Sequence, residues 1–174
     1  MKPYTVTAGH SPDSPGAERD GLKEHVLMTE LRDVVIRKIA DLGVPVRGDG
    51  AKGINQPLAN AMHLIAGSEA AIELHTNASI DPRARGVEVI SLPKDKALAQ
   101  KLAMSIATIL QEPLRGDKGW IDQSDSARGR LGFVARGGLI VEVFFLSNIE
   151  ARAKYLERKW LVASAIVKAL TGLS

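Results

Sequence analysis

The stretch that decides the fold is Gly138-Leu139-Ile140-Val141-Glu142-Val143-Phe144-Phe145-Leu146, an apolar strand with one carboxylate in its middle. Burying that carboxylate is costly unless a metal, a cation or hydrogen-bond donors meet it. Two other apolar strands also run into polar residues: the strand at 4–8 ends at Gly9-His10, and the strand at 70–74 ends at His75. In α/β folds the ligand crevice lies outside the carboxyl ends of the strands. Two imidazoles and a carboxylate from separate strands therefore predict a metal site, and with it a hydrolase.

Strand and helix patterns alternate along the whole chain. This alternation predicts an α/β fold with a mostly parallel sheet and helices on both faces. The last two predicted strands are expected to pair, and the glycine-rich, charged segment 115–130 is expected to be a long surface loop. The predicted strands are 4–8, 44–46, 70–74, 86–92, 131–134 and 138–143, and the predicted helices are 22–42, 56–66, 96–110, 149–156 and a terminal helix that ends at 170.

Length and composition limit the class of protein. At 174 residues and 18.7 kDa, residues 1–174 are expected to form one domain and a monomer. No stretch approaches the roughly 20 apolar residues that a membrane span requires, so no membrane insertion is expected. Met1-Lys2-Pro3 leads directly into the first strand, without the pattern of a secretory signal. We therefore expect a protein made in the cytoplasm.

The absence of cysteine limits the chemistry of any metal site. Disulfides, thiolate nucleophiles and thiolate zinc sites are excluded, so a metal must be bound by imidazole and carboxylate groups. The net charge of +3 comes from 23 basic and 20 acidic side chains. This excess is too small to predict a nucleic-acid partner.

A catalytic zinc site usually has three protein ligands and one open position. His10 and His75 supply two ligands, and Glu24, in the first turn of the first helix, is the best candidate for the third. The alternative is a surface carboxylate that interacts only with the helix dipole. His25 is a rival ligand, but adjacent helical residues point about 100° apart, so only one of the pair can face a metal. His63, among apolar residues of the second helix, is expected to be a partly buried structural histidine.

Two more carboxylates lie near these candidate ligands. Glu73 shares a strand face with His75, so it could be a ligand, although an acceptor for a histidine N–H or a pocket wall explains it better. Glu142 is the candidate catalytic residue, because a glutamate beside a metal can take a proton from water and pass it to a leaving nitrogen. The alternative for Glu142 is a structural role, paired with Arg136 or Arg128.

Four motifs occur in a fixed order at compatible distances. They are Gly9-His10 with Pro15-Gly16-Ala17, then Gly21-Leu22-Lys23-Glu24, then Leu74-His75-Thr76-Asn77-Ala78, and finally Val141-Glu142-Val143-Phe144-Phe145-Leu146-Ser147-Asn148. Each motif alone is weak, but the set is specific. From Val6 to about Leu170 the chain resembles the zinc-dependent N-acetylmuramoyl-L-alanine amidases of the type called amidase 3. It departs from that family at Asn55, where an arginine is usual, and at Glu73, where a small polar residue is common.

The resemblance implies a fold, a ligand set and a reaction. The fold would be a three-layer α/β arrangement, with a twisted, mostly parallel six-stranded sheet between helices. His10, Glu24 and His75 would bind one Zn²⁺, and Glu142 would be the general acid and base. The substrate would be peptidoglycan, cut at the amide bond between N-acetylmuramic acid and the L-alanine of the stem peptide. The protein would thus degrade the bacterial cell wall.

Other functions stay open at this point. A zinc carboxypeptidase or aminopeptidase can use a similar fold and similar ligands, with Arg115, Arg128 or Arg130 available to grip a terminal carboxylate. A wall-binding module without catalysis is disfavoured by the presence of Glu142. A nucleic-acid binder is disfavoured because aromatic residues make up only 4% of the chain and no basic helix is present.

The sequence also leads to expectations about the source of the protein, the place where it acts and its need for an activator. A catalytic domain without an export signal or wall-binding repeats is typical of a phage endolysin, which a separate lysis protein releases to the wall or periplasm. The alternative is a piece of a larger bacterial amidase. Segment 115–130 has no amphipathic period with which to dock as a plug, so we expect hydrolysis without an activator. Its basic residues are expected to approach the anionic wall polymer, and salt should therefore weaken activity.

Overall fold

A computed structural model describes residues 1–50, 53–126 and 129–173. The strands are β1 (Tyr4–Ala8), β2 (Glu18–Arg19), β3 (Leu22–Lys23), β4 (Val46–Arg47), β5 (Ala71–Asn77), β6 (Glu88–Ser91), β7 (Trp120–Asp122) and β8 (Leu139–Phe145). The α-helices are α1 (Glu24–Asp41), α2 (Leu58–His63), α3 (Lys96–Leu110), α4 (Gly132–Ala135) and α5 (Ile149–Thr171). Short 3₁₀ turns occur at Pro93–Asp95 and Gln123–Asp125.

Six strands form the central sheet in the order β4-β1-β5-β8-β6-β7. All neighbours are parallel except β6 and β8, which run antiparallel. The prediction of an α/β fold with a six-stranded, mostly parallel sheet between helices is confirmed. The remaining strands, β2 and β3, form a separate hairpin. Its turn is Asp20-Gly21, with φ of 50° and 77°, a dipeptide suited to tight hairpin turns.

Helices cover both faces of the sheet. The larger apolar core includes Val141 and Val143 of β8 and lies beneath α1, α3 and α5. On the opposite face, Ile140 packs in a smaller cluster with Phe133 and residues of α2 and α4. Because side chains alternate along a strand, Glu142 shares this second face with Ile140. Glu142 therefore points to the face of the sheet that is covered by the two short helices, α2 and α4.

Three predictions about local structure are wrong. Residues 131–134 were expected to be a strand but lie in or beside α4, because a short apolar run fits a buried helical turn equally well. The sixth strand is instead β7, inside the expected loop 115–130, where the Trp120 indole donates to Ser91 Oγ at 3.0 Å. The expected break after residue 156 is absent, since no glycine or proline interrupts 149–171 and α5 is continuous.

None of the helices in residues 1–50, 53–126 and 129–173 is both long enough and apolar enough to cross a bilayer.

A buried arginine on α1 anchors the chain that leaves β1. The Arg32 side chain is fully buried and donates from Nη1 to Asp49 Oδ1 at 3.1 Å and to Asn55 Oδ1 at 2.7 Å. The Asn55 amide then donates to the carbonyl oxygens of Ala8 and His10. Asn55, which departs from the family pattern, thus links a cation on α1 to the backbone of a candidate ligand.

Titration of Asp49 makes the contribution of this network to the stability of the fold depend on pH. Burial raises the pKa of Asp49 from 3.8 to about 6, although the Arg32 guanidinium opposes the shift. The folded state therefore binds this proton more tightly than the unfolded state does. The contribution of protonated Asp49 to the stability of the fold is complete below pH 3.8 and is lost as the pH rises through about 6.

We predict that Asp49→Asn removes this pH dependence. Between pH 3.8 and 7, the unfolding free energy of the parent chain should fall by about 3 kcal/mol relative to that of the variant. Urea denaturation of both proteins across this range measures the difference. Asp41→Asn, at an exposed position on the same helix as Arg32, is the control and should follow the parent. A constant difference between parent and Asp49→Asn would contradict the prediction.

Candidate metal centre

His10, Glu24 and His75 come together at the carboxyl ends of β1 and β5. One ligand atom from each residue lies within 4.8 Å of the others, and no other group of this kind occurs in the described part of the chain. His10 Nε2 is 3.4 Å from Glu24 Oε2, and His75 Nδ1 is 3.1 Å from Glu24 Oε1. The three side chains come from the loop after β1, the first residue of α1 and the body of β5.

Backbone amides hold the Glu24 carboxylate in place. Ala17 N–H donates to Oε2 and Thr76 N–H donates to Oε1, each at 2.9 Å. The loop that brings Ala17 there also supplies carbonyl acceptors for the first amides of α1, including Ala17 O for the Glu24 N–H at 2.9 Å. Each carboxylate oxygen is therefore shared between one amide and one imidazole, which fixes its direction.

Two glycines make room for the imidazoles. A Cβ on Gly9 would lie 2.0 Å from Cε1 of His75, and a Cβ on Gly16 would lie 2.5 Å from Glu24 Oε2 and 2.6 Å from the His10 ring. Gly16 also has φ of 75°, which favours glycine. Glycine at both positions is thus required by the site itself, which accounts for the motifs around them.

The charges at the site favour a bound cation. Burial disfavours a protonated His75, but its hydrogen bonds to Glu24 and Glu73, with the charges of Glu73 and Glu142, raise its pKa to about 10. Burial acts to raise the pKa of Glu24, and its contacts with His75, Ala17 and His10 outweigh burial and lower it. Two imidazoles and one carboxylate form a ligand set that suits Zn²⁺. The His10 side chain is 27% exposed, so the cluster is open to solvent on one side.

Glu142 lies beside His75 on the neighbouring strand. The two residues are partners in the register of β5 and β8, and Glu142 is 2% exposed. Neighbouring strands are about 4.8 Å apart, so both side chains rise from the same row of the sheet. His10 and His75 line a cavity of about 360 Å³, whereas Glu142 lines a cavity of about 350 Å³ with Glu88 and Arg115. Two of the candidate ligands and the candidate acid–base residue thus border different cavities, although His75 and Glu142 are partners in the register.

The remaining candidates from the sequence lie elsewhere. His25 is half-buried on α1 and outside the cluster, and His63 is exposed, so the expectation of a partly buried His63 is wrong. Arg136 is exposed and borders a different cavity, next to the first residues of β5 and β8. It is therefore remote from Glu142, whereas Arg128 lies outside the described residues. Glu73 contacts His75 but is not in the cluster of candidate ligands.

The role of Arg32 is not among the predictions from the sequence. The signal was present, because Arg32 falls between Met28 and Val35 at helical spacing, within the buried stripe of α1. A charged residue at such a position requires buried partners. Its partners Asp49 and Asn55 lie well away in sequence, in a segment without a clear pattern, so they could not be identified from spacing.

Comparisons with known proteins show the fold and the family of the chain. A protein of Neisseria meningitidis described as a candidate N-acetylmuramoyl-L-alanine amidase is 36% identical, with a TM-score of 0.91 over 98% of this chain and 94% of that chain. The catalytic domain of CwlV, an N-acetylmuramoyl-L-alanine amidase from Bacillus (Paenibacillus) polymyxa var. colistinus, is 18% identical, with a TM-score of 0.83 over 99% and 97% of the two chains.

A third solved structure has the same fold. The N-acetylmuramoyl-L-alanine amidase from Clostridium difficile 630 is 18% identical, with a TM-score of 0.81 over 99% of this chain and 97% of that chain. A search of curated proteins gives no match. The sequence profile of the Amidase_3 family, described as N-acetylmuramoyl-L-alanine amidase, matches residues 5–172. Because that match covers nearly the whole sequence, the chain belongs to the Amidase_3 family of N-acetylmuramoyl-L-alanine amidases.

Proposed function

We propose that this chain is a zinc-dependent amidase that cuts peptidoglycan between N-acetylmuramic acid and L-alanine. The observation that carries the proposal is the convergence of His10, Glu24 and His75 beside Glu142, which is in register with His75. Membership of the Amidase_3 family supports the amide bond as the one that is cut. A zinc ion held by the two imidazoles and Glu24 supplies Lewis acidity, which polarises a carbonyl group and makes water more acidic.

The residues of the chain perform the proton transfers. Glu142, from its place beside His75, accepts the proton of the attacking water and donates it to the departing L-alanine nitrogen. Its burial keeps bulk water away from the carboxylate. The backbone amides of Ala17 and Thr76 keep Glu24 oriented throughout, so the site does not need to rearrange during the reaction.

A peptidase acting on free peptides is the second candidate function. It is favoured by Arg115, which borders the Glu142 cavity and is the kind of residue that grips a terminal carboxylate. However, the guanidinium is already engaged: it donates to Glu88 at 2.5 Å and lies over the Phe145 ring at 5.0 Å. These contacts leave Arg115 less available for a substrate and favour the amidase.

We also propose that the chain acts without an activator. The loop from 78 to 87 is tied down by side chains, because Ser147 Oγ accepts from Ser79 N–H at 3.0 Å and Asn148 donates to Pro82 O at 3.0 Å. Arg85 in the same loop forms two hydrogen bonds with the buried carboxylate of Glu112, at 2.9 and 2.8 Å. In the part that the structure describes, 115–126 contributes β7 to the edge of the sheet. These contacts support a permanently open site.

We predict that the purified chain binds about one zinc ion. His75→Ala should lose the metal, because it removes one of three ligands. His25→Ala is the matched control, since His25 is adjacent to Glu24 but outside the cluster. Metal analysis after dialysis measures the stoichiometry of each protein. Retention of zinc by His75→Ala, or loss of zinc from His25→Ala, would refute the ligand assignment.

Glu142→Gln should abolish most of the hydrolysis but leave the metal in place. General acid–base catalysis contributes roughly 10² to 10⁴ in rate, so turnover should fall by about that factor. Release of stem peptide from sacculi and the zinc content are both measured. Glu69→Gln, an exposed carboxylate remote from the site, is the control for loss of one negative charge. Turnover near the parent level in Glu142→Gln would exclude a catalytic role.

Digestion of sacculi by purified chain and zinc alone should produce new amino groups and no new reducing sugar ends. Mass spectrometry should identify free stem peptides that begin with L-alanine. Added salt should slow the digestion, because exposed basic groups such as Lys118 and Arg130 approach an anionic polymer. New reducing ends would indicate a glycosidase, and cleavage restricted to small peptides would indicate the peptidase. Activity that requires a second protein would contradict an open site.

A further inference from the structure

Glu73 is a buried carboxylate of the site that has no part in the proposed reaction. It lies two residues before His75 on β5 and is 3% exposed. Its Oε2 is 2.8 Å from Nε2 of His75, a short hydrogen bond between buried groups. Burying a carboxylate costs free energy of folding, and an apolar residue at the same strand position would avoid that cost. The contact with His75 therefore calls for a functional explanation.

The two ring nitrogens of His75 face different carboxylates. Nδ1 is 3.1 Å from Glu24 Oε1, on the side where the candidate ligands converge, and Nε2 faces Glu73. Gly9 borders the Cε1 edge that separates the two nitrogens. The two ring nitrogens point in different directions, so a single metal ion can face only one of them. Glu24 belongs to the cluster of candidate ligands and Glu73 does not, so a metal held by that cluster would face Nδ1, the nitrogen on the Glu24 side.

The hydrogen bond to Glu73 selects the tautomer that this geometry requires. A neutral imidazole carries its proton on one nitrogen and a lone pair on the other. An ionised carboxylate only accepts hydrogen bonds, so Glu73 favours the proton on Nε2 and leaves the lone pair on Nδ1. The same bond, with Gly9 against the ring edge, fixes the plane of the imidazole.

We propose that Glu73 is a positioning residue that holds His75 as its Nε2–H tautomer and presents Nδ1 to the zinc. The inference rests on the proposed zinc site. Outer carboxylates of this kind orient metal-binding histidines and increase their basicity, and their loss typically weakens metal binding by about 10- to 100-fold. Glu73 is thus the partner of a ligand and is not itself a ligand.

Glu73→Gln tests the proposal with little change in shape. Zinc affinity is measured on the folded chain by competition with a chelator, and nitrogen NMR of the imidazoles reads the tautomer and the metal-bound nitrogen of His75. We expect affinity to fall by about 10- to 100-fold and the Nε2–H signal to shift and exchange faster with water. Glu73→Ala, which removes the acceptor without leaving an amide beside the ring, should lose at least as much affinity.

Glu88→Gln is the matched control. Glu88 belongs to the same row of the sheet, opposite Glu142 in the register of β6 and β8, and its carboxylate is paired with Arg115 and Asn77. The Glu88→Gln substitution removes one negative charge from the same face and leaves the contacts of His75 unchanged. The zinc affinity of this variant should therefore fall much less than that of Glu73→Gln. Equal losses in both would show that only total charge matters and would overturn the positioning role.

The outcomes separate the inference from the proposed function. A parent chain that binds no zinc overturns both. A parent chain that binds zinc, with affinity and His75 signals unchanged in both Glu73 variants, overturns only the role of Glu73. Metal bound through Nε2 in the parent chain would also overturn it, because Glu73 would then face the metal.

Discussion

The Glu24 carboxylate is the interaction on which the rest of the site depends. Its two oxygens meet two imidazoles at 3.1 and 3.4 Å and two backbone amides at 2.9 Å each. These contacts join the loop after β1, the start of α1 and the end of β5 at a single group. Because α1 begins at this residue, the helix cannot shift along its axis without moving the ligand. A helix terminus, a loop and a strand are thereby held in one arrangement by one side chain.

Negative charge is concentrated on this face of the sheet, and three of its carboxylates have a basic neighbour. Glu24 and Glu73 flank His75, while Glu88 is paired with Arg115. Without a metal, His75 is protonated on both ring nitrogens, because its hydrogen bonds to Glu24 and Glu73 raise its pKa to about 10. A metal ion bound at the proposed site would replace one of these protons, so metal binding there would release a proton.

The strands and their terminal residues could be predicted from the sequence because the signals are local. His75 and Glu142 stand at the ends or in the middle of apolar runs, and the sheet order then places them side by side. The segment 131–134 could not be assigned in the same way, since four apolar or small residues fit a strand or one helical turn. In the folded chain the Phe133 ring lies where a Cβ on Gly138 would be, 2.2 Å away, and packing of this kind cannot be read from the sequence pattern.

The two histidines are held by different means, and this difference determines where the site can open. His75 is in the central sheet, with a carboxylate on each ring nitrogen and Gly9 against its edge. His10 has φ of 67° on a loop, and the Asn55 amide fixes its carbonyl oxygen. The backbone conformation of His10 is therefore maintained by Asn55, which Arg32 holds in place, whereas the His10 ring is partly exposed. The His10 side of the cluster is consequently the side that is open to solvent, and the buried His75 is the candidate ligand that lies beside Glu142.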